Sequence, residues 1–481
     1  MGLNEVIGAI SGIVWGPVMI VFLVGTGLYL TFRLRFLQVR YLGHALKCIS
    51  GKYDDPEEEG DISHFRALSA ALSATIGTGN IAGVAIAIAL GGPGAVFWMW
   101  ITALVGMATK FTSCSLALRF REIGSDGTAR GGPMYFLEKG FAPKWLIALA
   151  GETRTRRWAV ALAVAFALSA MIASFGIGNM VQANSVVDGL SYVLPDTWNA
   201  TGFDLFGFRI GWLSLIIGLV LALLVGLVIL GGIRRIASVA SRLVPGMSVI
   251  YVAGALVILI LHADKIIDAF VMIFRHAFTP YSAGGGVAGA TMAMALRWGV
   301  ARGVFSNESG LGSAPMAHAA AKTREMVREG FVAMLGPLID TLIICTMTAL
   351  VILVTGARAT GLTSTSLTAH AFDVGLFGYG HVIIGFGLIL FAYSTMISWS
   401  YYGDRCAQYL LGSKAVVWYR GLYVLLVVVG AVGGLRLIWD IADVLNALMA
   451  VPNLIGLLAL SGIAAGLTKK YLERLKAGEF D

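Results

Sequence analysis

The stretch Ala74–Asn80, ATIGTGN, interrupts a segment that is otherwise apolar from about 64 to 91. Gly77 and Gly79 each weaken a helix by about 1 kcal/mol relative to alanine. Thr75, Thr78 and Asn80 carry polar groups for which lipid offers no partner. Close packing of small residues, common between membrane helices, accounts for the two glycines. It does not account for the asparagine, the two threonines, or a second interruption in the apolar segment at about 286–313, FSNESGLGSAP from Phe305 to Pro315. Two interrupted segments at corresponding places in two halves of a chain mark the binding site of a transporter. The two stretches therefore predict opened helices that hold something.

Composition sets the surroundings of these breaks. The 481 residues are 58% hydrophobic and only 13% charged, against about 25% charged in a soluble domain. Mean hydropathy is +0.82. The chain reads as a multi-spanning, all-α membrane protein with no room for a soluble catalytic domain. It holds no G-x-S-x-G, H-E-x-x-H or Walker A motif, which argues against an enzyme. The acidic run DDPEEEGD (54–61) reads as a solvated face. A channel would need a repeated pore motif. The four cysteines have no metal or redox spacing and are expected as free thiols. The N-terminal segment lacks a basic n-region and an A-x-A site, so it reads as a retained helix.

Eleven spans are expected, at about 9–32, 64–91, 94–118, 157–190, 209–230, 242–262, 286–313, 328–356, 378–403, 415–434 and 439–467. The net charge of +8 follows these spans rather than a nucleic-acid patch. One side collects Arg33 through Arg66, Arg119 through Arg157, Arg234, Arg235, Arg242, Lys322, Arg324, Arg328, Arg405, Lys414, Arg420 and the tail from Lys469 to Lys476. The other has only Arg209, Lys265, Arg275, Arg358 and Arg436. Lys/Arg bias marks the cytoplasmic side. The expectation is a cytoplasmic-membrane protein with its N-terminus outside and its C-terminus inside.

With the first span set aside, ten remain, and five per half force opposite orientations of the two halves. That is an inverted repeat. The expected parts are 1–63, an N-terminal helix and linker; 64–262, the first repeat; 263–285, an outer connection; 286–467, the second repeat; and 468–481, a cytoplasmic tail. Gly131–Phe141 reads as a cytoplasmic interfacial helix, and Asp264–Phe278 and Ser366–Leu376 as outer-face helices.

An opened helix frees N–H groups at one half-helix end and carbonyls at the other. The former suit a carboxylate, the latter a cation or an ammonium, so a zwitterion satisfies both. Phe175, Asn179 and Gln182 share a helix face at i, i+4 and i+7; interhelical hydrogen bonding is the plain alternative for this stripe. Ser394, Thr395 and Ser398 lie near one face beside Trp399, with hydroxyls suited to Na⁺ or, equally, to back-bonding along their own helix. Intramembrane charges are Lys110, Arg297, Arg302, Glu308 and Asp340, functional candidates by default. Glu308, Asp340 and Asn179 are expected in gating or support, with a Lys110 or Arg partner for Asp340. His318 is a weaker candidate, for proton relay.

The strings ALSATIGTGNIAGVAIAIALGGPGAVFWMW (71–100), GGPMYFLEKG (131–140), GIGNMVQANS (176–185), GVFSNESGLGSAPMAHAAAKT (303–323) and STMISWSYYGDR (394–405) together resemble the alanine or glycine:cation symporter family, over nearly the whole chain. The resemblance implies a leucine-transporter-like fold, one extra N-terminal helix plus a 5+5 inverted repeat with two broken helices. It also implies Na⁺-coupled uptake of alanine or glycine by alternating access, with Na⁺ as the coupling ion and no organic cofactor. Carried over by motif, Thr78, Gly79, Asn80, Phe175, Gln182, Phe305, Ser306, Asn307 and Trp399 would line the substrate pocket. Ala74, Thr75 and Gly77, with Ser394, Thr395 and Ser398, would hold Na⁺. Ala74, Ser113 and Asp404 depart from the pattern, where glycine, an acidic residue and glutamate are usual. The alternatives are an H⁺-coupled symporter of another small zwitterion and an amino-acid sensor that moves nothing.

Overall fold

Leu, Ile, Val and Ala fill the long segments, and with no water at membrane depth each segment closes its backbone hydrogen bonds within itself as a helix. A computed structural model describes residues 7, 10, 12, 14–125, 127–191, 201–205, 208–280, 291–433 and 436–480. The start of the span expected at 286–313 and part of the 263–285 connection fall outside the described residues. Among the described residues, 8 helices are long and apolar enough to cross a membrane, or 9 with the bent pair His64–Thr75 and Gly79–Gly91 taken as one span. That is fewer than the eleven expected: Pro17–Arg33 is a shorter apolar helix, and the segment expected at 286–313 is divided between the helices Met292–Asn307 and Ala314–His318. The chain is an all-helical, multi-pass membrane protein.

Burial sorts the helices by position. Ala95–Arg119 is 89% buried over its most apolar window, whereas Ala415–Val432 is 28% buried. On Trp212–Ile229 the residues Ile216, Leu219, Val220, Leu223 and Leu227 are exposed, a face fit for lipid. The packing is paired across the two halves. Glu152–Phe175 packs on Arg436–Lys476 as Gly380–Leu411 packs on Gly232–Leu261, and Trp212–Ile229 packs on Ala415–Val432. Ala95–Arg119, at the centre, carries Met292–Asn307 on one side and Met326–Ala333 on another.

Among the described residues, three helices widen into π turns, Gly79–Gly83, Gly176–Met180 and Leu338–Cys345. Such turns insert a residue, rotate the next stretch of helix about its axis, and occur often at functional sites.

Several expected boundaries shift: the span expected at 242–262 starts at Gly232, the one expected at 378–403 runs to Leu411, and the last helix runs to Lys476, into the expected tail. The span expected from 209 starts at Trp212, because Phe208–Gly211 pairs with Gly202–Leu205 as a hairpin. Pro133–Gly140 is a helix, but Met134, Phe136 and Leu137 are buried in the protein, against Glu152–Phe175 and Arg436–Lys476, rather than left for an interface with lipid.

The side that gathers the Lys and Arg residues is tightly stapled. Ile62 pairs with Ala321 as a parallel bridge. Arg121 donates to the carbonyls of Ala319 (3.1 Å), Ala321 (2.7 Å), Glu59 (2.9 Å) and Thr323 (2.8 Å). Beneath, buried Glu329 bridges His64 and His318, the latter at 2.5 Å. His318 is thus tied to Glu329, away from the breaks.

Candidate functional site

The first break begins where the His64–Thr75 helix ends. Gly77 N–H donates to the side chain of Asn80 (2.9 Å) rather than to a helical carbonyl, so the turn stays open. The two halves meet at 54°. Carbonyls at the opened end turn to hydroxyls on Gly380–Leu411. Ser394 Oγ donates to Ser73 O (3.1 Å) and Ser73 Oγ returns a bond to Ser394 O (2.7 Å). Thr395 Oγ1 reaches Ala74 O at 3.5 Å. A Cβ at Gly77 would stand 2.6 Å from Thr395 Oγ1, so only glycine lets the backbone approach this hydroxyl. Ser398 Oγ is buried with no hydrogen-bond partner. Oxygens of this kind, two helices deep and away from water, suit a small hard cation such as Na⁺.

After the break the π turn frees two more carbonyls. Thr348 Oγ1 takes Asn80 O (2.8 Å) and Thr368 Oγ1 takes Ile81 O (2.9 Å).

The second break begins at Glu308, which leaves the Met292–Asn307 helix with φ of 53°, in the left-handed region. Asn453 Nδ2 donates to Gly310 O (2.8 Å). Both breaks meet at one buried carboxylate. Asp340 accepts from Asn80 Nδ2 (2.7 Å), Ser306 Oγ (2.9 Å) and Thr341 Oγ1 (2.7 Å), and Asn307 Nδ2 donates to Thr341 Oγ1 (3.1 Å). Lys110 interacts electrostatically with both Glu308 and Asp340.

Between the breaks lies a cavity of about 20 Å³ lined by Ala74, Thr75, Gly77, Thr78, Gly79, Ile177, Gln182, Phe305, Glu308, Leu311, Thr395, Trp399 and Asn446. That is room for about one water. An amino acid fits only if side chains draw back. Gln182 Nε2 donates to Ile177 O (3.0 Å), and Gln182 Oε1 and Asn446 Oδ1 are buried without hydrogen-bond partners. Phe305 separates this space from a second cavity of about 190 Å³, which Trp15, Arg297, Trp298, Arg302 and Asp443 also line. Arg302 stands 5.6 Å from the Phe305 ring.

Of the residues expected at the pocket, Thr78, Gly79, Gln182, Phe305 and Trp399 line the cavity. Asn80, Ser306 and Asn307 are brought together behind it, on Asp340 and Thr341. Phe175 lies elsewhere: its ring packs on Tyr419 at 5.0 Å. The resemblance implied a pocket place for it, but the π turn at Gly176–Met180 breaks the i, i+4, i+7 register of Phe175, Asn179 and Gln182, and Ile177 lines the cavity beside Gln182. Asn179 supports from behind, donating to Tyr423 O (2.7 Å). Asp340 is held by hydroxyl and amide donors rather than by the expected Lys110 or Arg partner. The expected cation residues Ala74, Thr75, Gly77 and Thr395 all line the cavity, while Ser394 faces Ser73. Asn446 was not singled out, though an amide in an apolar span is a readable signal; Ile177 and Leu311 carry none.

The profile of the sodium:alanine symporter family matches residues 1–481. The sodium/alanine symporter AgcS of Methanococcus maripaludis is 48% identical over 477 residues, covering 98% of each chain. The probable sodium/glutamine symporter GlnT of Bacillus subtilis is 36% identical, covering 99% of this chain and 92% of its own. Among solved structures, MhsT in complex with L-phenylalanine superposes with a TM-score of 0.52 at 14% identity, over 85% of this chain and 98% of that one, a likeness of fold. The chain belongs to the sodium:alanine symporter family.

Proposed function

We propose that this protein is a Na⁺-coupled symporter that carries alanine or glycine into the cell by alternating access. Membership of the family supports Na⁺ coupling and a small neutral amino acid as cargo. The observation that carries the reading is the first break, where the backbone of Ala74–Gly79 faces Thr395, Gln182, Phe305 and Trp399 around one small cavity.

In this reading Na⁺ sits between the opened end of His64–Thr75 and the hydroxyl of Thr395, with Ser398 and the Ala74 and Thr75 carbonyls as further oxygens. The ion stabilises the opened turn. The amino acid then places its carboxylate toward the N–H groups near Gly79, and its ammonium toward acceptors around Phe305 and Gln182 Oε1. Asn80, Ser306 and Asn307 act through Asp340, joining the two breaks so that they move together. Trp399 limits the side chain accepted, each misplaced methylene costing about 1–3 kcal/mol. Coupling arises because Na⁺ binds one conformation more tightly than the other. The halves 64–262 and 286–467 are the inverted repeats, and the protein lies in the cytoplasmic membrane with its N-terminus outside and its C-terminus inside.

The test is uptake of labelled alanine into proteoliposomes under an inward Na⁺ gradient, against equal K⁺ and against an inward proton gradient. Accumulation with Na⁺ alone is expected. Accumulation driven by protons alone transfers the coupling role to the buried carboxylates Glu308 and Asp340. Binding without accumulation under any gradient makes the protein a sensor, and the absence of both binding and uptake by folded protein overturns the substrate.

A further inference from the structure

We propose that Glu308 sets the size limit of the pocket by holding the Trp399 indole in place, which makes it a specificity-determining positioning residue; the proposal rests on the symport reading above. Glu308 is 4% exposed. Its backbone is in the left-handed region, with φ of 53°, a conformation unfavourable for a residue with a side chain. Such a residue persists where its surroundings over-determine it, and here the side chain is fixed at both ends. Trp399 Nε1–H donates to Glu308 Oε1 at 2.9 Å, and Ser313 Oγ donates to Glu308 Oε2 at 2.5 Å.

Trp399 needs this partner. It comes from Gly380–Leu411, in the half-chain packed across the cavity from the first break, and it is 2% exposed. The near end of the side chain is fixed by packing. Gly178 approaches so closely that any side chain there would overlap the Trp399 Cβ, and Tyr402 meets the ring edge-on at 5.4 Å and 70°. Those contacts hold the Cβ end and one edge of the ring and leave the indole N–H to be oriented by a polar partner. A buried indole N–H takes a hydrogen-bond partner, and Glu308 supplies it from the second break. The bond therefore decides where the ring lies over a cavity that both residues line. Ser313, six residues beyond Asn307 on the far side of the break, in turn decides where the carboxylate lies. With both oxygens engaged by protein donors, Glu308 shapes the space instead of filling a place in the substrate's own shell.

The experiment measures, in proteoliposomes, the ratio of uptake efficiency for labelled alanine to that for labelled valine. Wild-type protein favours alanine. Glu308→Ala is expected to lower the ratio about tenfold, the effect of relaxing a pocket wall by roughly one methylene. Glu308→Gln keeps an acceptor for the indole and a group that bonds Ser313, so it restores the ratio even where lost charge beside Lys110 slows both substrates. Ser313→Ala, which leaves the pocket wall untouched, shifts the ratio in the same direction by less, and it serves as the test where Glu308→Ala does not fold. A folded Glu308→Ala or Ser313→Ala protein with the wild-type ratio overturns the proposal. So does a Glu308→Gln ratio as low as that of Glu308→Ala, since the charge and not the bond would then be acting. Wild-type protein that accumulates neither substrate overturns the symport reading instead, before any variant is made.

Discussion

The two breaks occupy corresponding places in the two halves and solve the same problem differently. In the first, the open turn is spanned by one side chain, Asn80, which reaches back to Gly77 N–H, and the backbone that remains lines the cavity with Ala74 through Gly79. In the second, the opening from Glu308 to Ser313 is filled by the protein itself. Asn307 Oδ1 takes Ser309 N–H (3.0 Å), Ser313 takes Glu308, and Asn453 takes the Gly310 carbonyl. Freed backbone groups need partners wherever a helix opens. One break leaves its residues facing the cavity, and the other satisfies its backbone internally and contributes walls. Two interruptions of the same kind need not share a role.

Asp340 is where this contrast is most easily broken, because it belongs to both breaks. Asp340→Ala leaves the donors of Asn80, Ser306 and Thr341 without their acceptor and should cost about 3 kcal/mol or more of stability, read as a fall in the thermal unfolding midpoint in detergent, with loss of alanine uptake. A variant that unfolds like wild type would mean that the breaks are not joined there. A sharper test separates them. Gly77→Ala sets a Cβ 2.6 Å from Thr395 Oγ1, and an overpacking cost in the lower part of the 1–3 kcal/mol range should raise half-saturating Na⁺ about tenfold in uptake titrations. Asn453→Ala, in the second break, should cost about 1 kcal/mol of stability and leave the Na⁺ titration where it was. If Asn453→Ala moves the Na⁺ dependence as Gly77→Ala does, the division of labour between the breaks fails.

The helices and both breaks were legible, because apolar length, glycine and misplaced polar residues act locally and leave their mark in the string. The opening at Ala74–Gly79 was legible for the same reason, whereas the places of Thr395 and Trp399 beside it were implied by the family resemblance. What was hidden lies in register. The π turn at Gly176–Met180 moves Phe175 onto Tyr419 and brings Ile177 to the wall, and nothing in GIGNM announces one inserted residue. Nor does the sequence tell that Asn80, Ser306 and Asn307 turn away from the cavity, since their choice of Asp340 and Thr341 is made across helices distant along the chain. Leu311 is an ordinary leucine that only the path of the second break brings to the pocket.

The Arg121 side chain holds four carbonyls, spread over two chain segments, with one planar group. Charge-assisted bonds of this kind are strong and directional, and because they share a single rigid head they cannot be surrendered one at a time without disturbing the rest. The Glu59–Ile62 segment and the Ala319–Thr323 segment are thereby held to one another as a unit on the side rich in Lys and Arg. Moving either segment alone would strain all four bonds at once, so the two segments behave as one rigid piece of the fold.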